Sequence, residues 1–188
     1  MEIATLPISY FGSVEWYQSL YRADLLLIDD EERFQKQTFR NRCEIATAGG
    51  RQNLTVPIVH GSGEKNIRDT LISTHGRWQH QHWYAIQSAY GESPFFMYYA
   101  DELRPFFEKT WRYLFDFDME IVETCCRLLD IEPKITMKSA FSDEITPIET
   151  PHVFRRYYQV FEQRHGFQPN LSILDLLLCQ GPESVLYF

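Results

Sequence analysis

The 188-residue chain lacks an excess of positive charge, since it has 18 Lys and Arg against 26 Asp and Glu, a net charge of −8. Proteins that follow nucleic-acid phosphates need surplus cations for counterion release, so we expect no nucleic-acid partner. A local basic patch remains compatible with one small anionic ligand. Hydrophobic residues make up 44% of the chain, which is enough for a buried core. We expect one domain over residues 1–188, sheet-rich over 1–75 and helix-rich over 76–188.

Metal-binding cysteine motifs and long apolar runs are also missing. The cysteines are Cys43, Cys125, Cys126 and Cys179, and no two of them have the Cys-x-x-Cys spacing, so we expect no metal site. Buried free thiols are typical of a reducing compartment. The N-terminus has no basic leader, and no window approaches the length of about 18 apolar residues that spans a bilayer. We therefore expect a cytoplasmic protein without membrane insertion.

Nucleophile and nucleotide-binding motifs are absent as well. The chain has no Gly-x-Ser-x-Gly elbow, no phosphate-binding Gly-x-x-x-x-Gly-Lys-Ser/Thr loop and no Gly-x-Gly-x-x-Gly. The loop at 60–63, His-Gly-Ser-Gly, has only two glycines. The sequence identifies no cofactor, and positioning and charge neutralisation are then the main sources of catalysis open to it.

The N-terminal residues have the pattern of a strand, a helix and a second strand. We predict a strand over 2–8 and a helix within 10–22, with Gly12-Ser13 as its entry. The apolar run at 23–30 is typical of a strand buried on both faces, which favours a parallel sheet. Asp30 ends this run, and acids at that end of a strand often face a ligand crevice. The alternative is a turn or a helix cap after Ile28.

The remaining chain predicts one hairpin and several helices. Two β-rich runs flank Gly49-Gly50, and Pro57 limits the second to an edge or a strand end. A further strand is expected at 67–73. Helical segments are expected at 76–90, 94–107, 114–130, 154–166 and 172–180, with a polar connection at 142–151. The predicted fold is α/β, with a short, mostly parallel sheet, an N-terminal strand–helix–strand unit and a mainly helical C-terminal half.

A cluster of cations between residues 35 and 42 is the sharpest candidate site. Arginine presents a planar donor fork that suits carboxylate or phosphate, and lysine adds a compact charge. We hypothesise that Lys36, Arg40 and Arg42 hold an anionic substrate and that Asn41 orients it. The alternative is that Arg40 and Arg42 form internal ion pairs with acids at 29–32.

Two residues are candidates for proton transfer. Asp30 stands at the predicted strand end, and His82 shares a helix face with Trp78 and Ile86. Histidine suits general acid–base work at neutral pH. The alternative for His82 is a satisfied core histidine. Because His80 and His82 are about 200° apart on a helix, they do not chelate one metal ion together. Nearby aromatic residues either wall a sugar or nucleobase site or belong to the core.

In order along the chain, several motifs resemble the WbqC-like family, and the tail resembles Bacteroidetes-type members. They are Tyr10-Phe11, the run ending Asp29-Asp30, Phe34-Gln-Lys36 through Phe39-Arg-Asn-Arg42, Asn53-Leu-Thr-Val-Pro57, Trp78, His82-Trp83, Tyr90, Ser93-Pro-Phe95 and the tail from Tyr158 to Pro182. The family is associated with gene clusters for O-antigen and other surface polysaccharides, and transfer of glycine onto a sugar has been proposed for it. Relatives commonly begin with Gln-Pro-x-Tyr/Phe-Leu-Pro, from which Leu6-Pro7 through Phe11 departs. If that entry contacts substrate in relatives, we expect a different donor or acceptor here.

The resemblance implies a transferase that joins an aminoacyl, such as glycyl, or acyl group to a sugar nucleotide in surface-polysaccharide or O-antigen biosynthesis. The expected partner is a small anionic substrate such as a nucleotide-sugar. The alternative is a non-catalytic module that binds a nucleotide-sugar or a partner enzyme. A metal-dependent hydrolase would instead need three or more ligands that meet in space.

Overall fold

A computed structural model describes residues 2–141 and 153–188 of the chain. The strands are β1 (Ile3–Leu6), β2 (Leu25–Ile28), β3 (Arg42–Thr47), β4 (Gly50–Thr55) and β5 (Ile135–Met137). The helices are α1 (Val14–Arg22), α2 (Trp78–Tyr90), α3 (Phe96–Leu103), α4 (Pro105–Glu108), α5 (Leu114–Leu128), α6 (Glu162–His165) and α7 (Ile173–Gln180). Short 3-10 helices cover Ile67–Asp69, Lys138–Ala140 and Gly181–Tyr187.

The N-terminal strand–helix–strand unit is confirmed. β1 and β2 pair in parallel, with Ile3 opposite Leu25 and Leu6 opposite Ile28. The helix α1 connects them and begins after Ser13, whose side chain accepts a hydrogen bond from the Trp16 backbone N–H at 3.3 Å. Most of β2 is buried, as the continuous apolar run predicts.

A third parallel strand, β5, completes the sheet in the order β1–β2–β5. Leu26 lies opposite Ile135, and Ile28 lies opposite Met137. The sequence analysis missed this strand because three residues carry too little periodicity to register. Its pairing brings the 3-10 helix Lys138–Ala140 beside the carboxyl end of β2.

The predicted hairpin is confirmed as a separate two-stranded antiparallel sheet of β3 and β4. Thr47 pairs with Gly50 at the turn, and Arg42 pairs with Thr55 at the open end. Gly50 has a φ of 107°, a conformation that favours glycine. The open end of this hairpin positions the candidate site.

Two predicted elements are wrong. The expected strand at 67–73 is the 3-10 helix Ile67–Asp69 followed by isolated bridges, because Asn66 Oδ1 accepts the Arg68 backbone N–H at 2.8 Å and starts a turn. The expected helix at 154–166 shrinks to Glu162–His165, although Gly166 does end it with a φ of 73°. The polar connection expected at 142–151 lies outside the described residues.

The C-terminal half is mainly helical, and the predicted fold class is confirmed. The helix α7 lies in the core, with every residue from Ile173 to Cys179 buried. Ser172 caps it by accepting the Leu174 backbone N–H at 3.2 Å. The Asp175 carboxylate accepts hydrogen bonds from the hydroxyls of Tyr90 and Tyr157.

All four cysteines are buried and free. Among residues 2–141 and 153–188, no helix is both long and apolar enough to cross a membrane. The same residues contain no group of three or more His, Cys, Asp or Glu side chains arranged to hold a metal ion. The cytoplasmic location stays a prediction.

Candidate functional site

A groove of about 310 Å³ lies at the open end of the hairpin, between the segment before β3 and the loop after β4. We call it the hairpin-end groove. Its apolar lining residues are Phe34, Val56, Pro57, Ile58 and Val59. Its other lining residues are Lys36, Gln37, Asn41, Arg42, Thr55, His60, Gly61, Ser62 and Glu64. Three predicted substrate-binding residues, Lys36, Asn41 and Arg42, therefore come together here.

Asn41 links the two sides of the groove. The Asn41 side-chain Nδ2 donates to the Val56 carbonyl at 2.8 Å, and the Asn41 backbone carbonyl accepts the Val56 backbone N–H at 2.8 Å. Because a carbonyl only accepts, the first bond fixes which side-chain atom is nitrogen. The buried Oδ1 has no hydrogen-bond partner within the described residues. Such an atom needs a donor from outside, such as a water molecule or a ligand.

Arg42 and Lys36 supply positive charge to the groove. Arg42 opens β3, and its Nε donates to Thr55 Oγ1 at 3.2 Å, while no ion pair joins it to a described carboxylate. Lys36 is exposed in a turn and likewise has no ion pair among the described residues. Both cations are therefore free to bind an anion.

Arg40 has a different environment. It forms a bidentate ion pair with Glu32, in which Nε donates to Oε1 at 2.7 Å and Nη2 contacts Oε2. The two side chains are only 12% and 14% exposed. Arg40 does not line the groove, and the internal-pairing alternative describes Arg40 but not Arg42.

Asp30 lies at the end of β2 and also does not line the groove. Its carboxylate accepts hydrogen bonds from the Ser139 backbone N–H at 3.0 Å and the Ser139 hydroxyl at 2.6 Å, and it pairs with Arg68 at 2.9 Å. Burial alone would raise the pKa of Asp30, but the bonds from Ser139 and the charge of Arg68 lower it on balance. The bonds from Ser139 join the end of β2 to the 3-10 helix after β5, and the Arg68 pair joins it to the 3-10 helix Ile67–Asp69.

His82 lies in the core, 5% exposed, on the buried face of α2. Its Nδ1 is 2.8 Å from the Tyr10 hydroxyl, and its ring packs against Trp78 with centroids 5.1 Å apart. Burial lowers the pKa of His82 to about 4, so the ring is neutral at pH 7. It does not line the groove, and this environment resembles that of a satisfied core histidine.

The sequence analysis missed His60, Ser62 and Glu64 as groove residues. The loop that carries them is held in place because Ser62 Oγ donates to the Val59 carbonyl at 2.7 Å and accepts the Leu71 backbone N–H at 3.0 Å. The two glycines at 61 and 63 were a usable signal, because both adopt positive φ, 81° and 75°.

The comparisons with known proteins give the class of protein. Residues 9–149 match the model of the WbqC-like protein family, a stretch that contains the whole hairpin-end groove. The chain belongs to this family, which confirms the resemblance; the finer likeness to Bacteroidetes-type members stays a prediction. The chain is also similar to the uncharacterized protein Rv1507c of Mycobacterium tuberculosis, at 26% identity over 224 residues, covering 99% of this chain and 96% of that protein. No solved structure matches the chain.

Proposed function

We propose that the protein is a transferase that joins an aminoacyl or acyl group to a sugar nucleotide, as expected for surface-polysaccharide biosynthesis. The hairpin-end groove binds the anionic part of the donor or acceptor. One observation carries this proposal: Lys36 and Arg42, without ion-pair partners in the described chain, line a concave groove that also has an apolar wall. In a protein of net charge −8, such a local surplus of cations favours a negatively charged ligand.

The lining residues suit a phosphorylated ligand with a flat or apolar portion. The Arg42 guanidinium is able to bind two phosphate oxygens at once, and Lys36 adds a second charge. The Asn41 side chain would orient the ligand, since its Oδ1 has no hydrogen-bond donor among the described residues. The apolar residues Val56 to Val59 would contact a base or an acyl chain.

The proposed reaction is the attack of a sugar amine on an activated acyl carbon. A C–N bond forms, the acyl–oxygen bond to a phosphate group breaks, and the amine loses one proton. Lys36 and Arg42 would neutralise the departing phosphate. His60, which lines the groove, is our candidate to accept the proton. The catalytic roles predicted for Asp30 and His82 stay predictions, and both side chains have other contacts.

A binding experiment tests the groove. Calorimetric titration with uridine diphosphate, coenzyme A and a non-hydrolysable glycyl-adenylate analogue should find at least one ligand for the wild-type protein. Arg42→Ala should weaken that binding about 10- to 100-fold, because charge-assisted hydrogen bonds contribute about 1.5–3 kcal/mol each. The control Lys65→Ala removes an exposed lysine outside the groove and should bind normally. Equal affinity of Arg42→Ala and wild type would refute the assignment.

Turnover separates catalysis from binding alone. With a ligand in hand, His60→Ala should lower the rate of acyl transfer while it leaves the dissociation constant nearly unchanged. Asp30→Asn and His82→Gln test the other two residues by the same measurements. Tight binding with no product from any donor and acceptor pair would favour the non-catalytic module instead.

A further inference from the structure

A second groove, of about 640 Å³, lies at the opposite end of the hairpin, between the β3–β4 turn and the exposed face of α2. We call it the hairpin-tip groove. Residues from the turn, β4 and α2 form most of it, and Phe161 closes one side; those used below are Gln52, His80, Gln81, Tyr84 and Ser88. The two grooves have no lining residue in common, so they are separate sites.

Local structure explains why α2 presents polar groups and one aromatic ring to this groove. Gln81, Tyr84 and Ser88 follow one another at intervals of three and four residues, which places them in a single stripe on the helix. The opposite stripe, with His82, Ile86 and Ala89, is buried. Tyr84 is 67% exposed, so its ring is accessible to a ligand from solvent.

The charged residues of the hairpin lie on its other face. Arg51 pairs with Glu44 and also donates to the Pro169 carbonyl at 2.7 Å. Because successive residues of a strand alternate between faces, the side chains of Gln52 and Arg51 lie on different faces of the hairpin. The turn itself is fixed by His165, whose Nε2 is 3.0 Å from the Ala48 carbonyl.

The lining of the hairpin-tip groove is mainly apolar, with several polar side chains among the apolar residues. None of its lining residues, all of which belong to the described chain, is an Asp, Glu, Lys or Arg. An anion would find no strong counter-charge there, and a purely apolar ligand would leave the amides of Gln52 and Gln81 without partners. A ligand with hydroxyl groups at its edge and C–H groups on its face satisfies both kinds of lining.

We propose that the hairpin-tip groove binds an uncharged saccharide. The sugar ring stacks on Tyr84, and its hydroxyl groups exchange hydrogen bonds with Gln52 and Gln81. Ser88 and His80 are the further polar groups within the groove. This inference does not depend on the proposed transferase activity, because it uses different residues, a different ligand and a separate cavity.

Nitrogen-15 NMR titration of the full chain tests the proposal. The probes are methyl β-glucoside, methyl β-galactoside, N-acetylglucosamine and lactose, each added to tens of millimolar. At least one should give saturable shifts confined to residues around the β3–β4 turn and α2. Tyr84→Ala should weaken that binding about two- to tenfold, as expected for one lost ring contact, whereas Tyr84→Phe should retain most of it.

The control is Tyr98→Ala, which removes another exposed tyrosine, 76% accessible on α3 and outside both grooves. It should bind the saccharide as wild type does, and so should Arg42→Ala. The absence of saturable shifts with all four probes, or equal losses in Tyr84→Ala and Tyr98→Ala, would overturn the proposal. So would a concentration-dependent dimer that Tyr84→Ala dissociates, because a second copy would then occupy the groove. Loss of phosphate-ligand binding in the other groove leaves these outcomes unaffected.

Discussion

Arg40 and Arg42 are two residues apart, but their guanidinium groups have different environments. Arg40 is held by Glu32, with both side chains largely buried, whereas Arg42 lines the hairpin-end groove without a carboxylate partner in the described chain. The sequence motif alone does not separate them, because Glu32 reaches Arg40 only through the turns at 36–40. An extended segment would have placed both arginines on one side. Arg40 therefore positions the segment from which Asn41 and Arg42 contact the groove.

Arg40→Ala should lower the free energy of unfolding by about 3 kcal/mol, because it leaves the Glu32 carboxylate largely buried without its partner. Arg42→Ala should change it by less than about 0.5 kcal/mol. Urea denaturation followed by circular dichroism measures both. In the double variant Glu32→Ala/Arg40→Ala, the loss should be smaller than the sum of the single losses. Strict additivity would show that the pair does not act as a unit.

Asp118 is an acidic residue in an apolar environment. It is fully buried in α5, and neither carboxyl oxygen has a hydrogen-bond partner among the described residues. Burial raises the pKa of Asp118 well above its usual value of 3.8. The carboxyl group is therefore protonated over a pH range in which the unfolded chain would ionise it.

This raised pKa has a defined sign for stability. The folded state holds the Asp118 proton more tightly than the unfolded state, so its contribution is complete below about pH 4 and is lost as pH rises toward the folded-state pKa. Asp118→Asn removes the titration at nearly constant volume. The unfolding free energy of wild type relative to this variant should fall by up to about 1.4 kcal/mol per pH unit above pH 4. Urea titrations at several pH values measure it, and a difference that does not vary with pH would refute the assignment.

At the scale of the element, the loop after β4 contains two glycines that differ in how closely the rest of the molecule packs against them. Gly61 and Gly63 have φ values of 81° and 75°. A Cβ at Gly61 would meet nothing nearer than Glu64 Oε1 at 3.8 Å. A Cβ at Gly63 would lie 2.1 Å from Thr70 Oγ1 and 2.9 Å from the Phe34 Cβ. Gly63 is thus the point at which the loop packs against the rest of the molecule.

Gly63→Ala should therefore destabilise the protein by about 3 kcal/mol, because overpacking adds to the cost of the left-handed backbone. Gly61→Ala has only the backbone cost, about 1 kcal/mol. Thermal unfolding by calorimetry compares the two variants. Equal melting temperatures would contradict the packing role of Gly63.

The elements with strong local patterns were predictable, and those determined by distant contacts were not. The strand–helix–strand unit and the hairpin follow from apolar runs and a Gly-Gly turn. The segment 153–161 has helical spacing of its aromatic residues, yet the side chains of Tyr157 and Gln159 bind Asp175 of α7 at 2.7 and 2.8 Å. These long-range hydrogen bonds override the local periodicity. β5 likewise exists only because β2 offers it a free edge.

The candidate site was predictable only in part, because the sequence shows residue types but not the long-range contacts that bring them together. The chemistry of Lys36, Asn41 and Arg42 is recognisable from residue type, since cations in an acidic chain are informative. Their convergence with His60 and Glu64 requires the hairpin to return the chain to its starting point, which pattern alone does not specify. His82 was a reasonable candidate by residue type, but its burial beside Tyr10 depends on the packing of α2 against the N-terminal segment.

On the scale of the whole molecule, sheet pairing joins the sheet-rich and helix-rich parts of the chain. β5 comes from the helix-rich part and hydrogen-bonds to β2 in the sheet-rich part, while the α7 cap residue Ser172 bridges to Ser13. The predicted sheet-rich and helix-rich parts, 1–75 and 76–188, thus contribute strands to the same sheet. That residues 1–188 form one domain stays a prediction, which these contacts favour.

The reactivity of the four buried cysteines reports on transient opening of the core. Burial raises the pKa of Cys125 and Cys126 to about 12, and it raises that of Cys43 and Cys179 further, so none forms a reactive thiolate while the core is closed. Modification by a disulfide reagent such as dithionitrobenzoate should therefore follow transient opening of the chain. Any small molecule that occupies a groove of the closed form should slow this colour change in proportion to its saturation. Thiol protection thus provides a screen for ligands that needs no knowledge of the reaction.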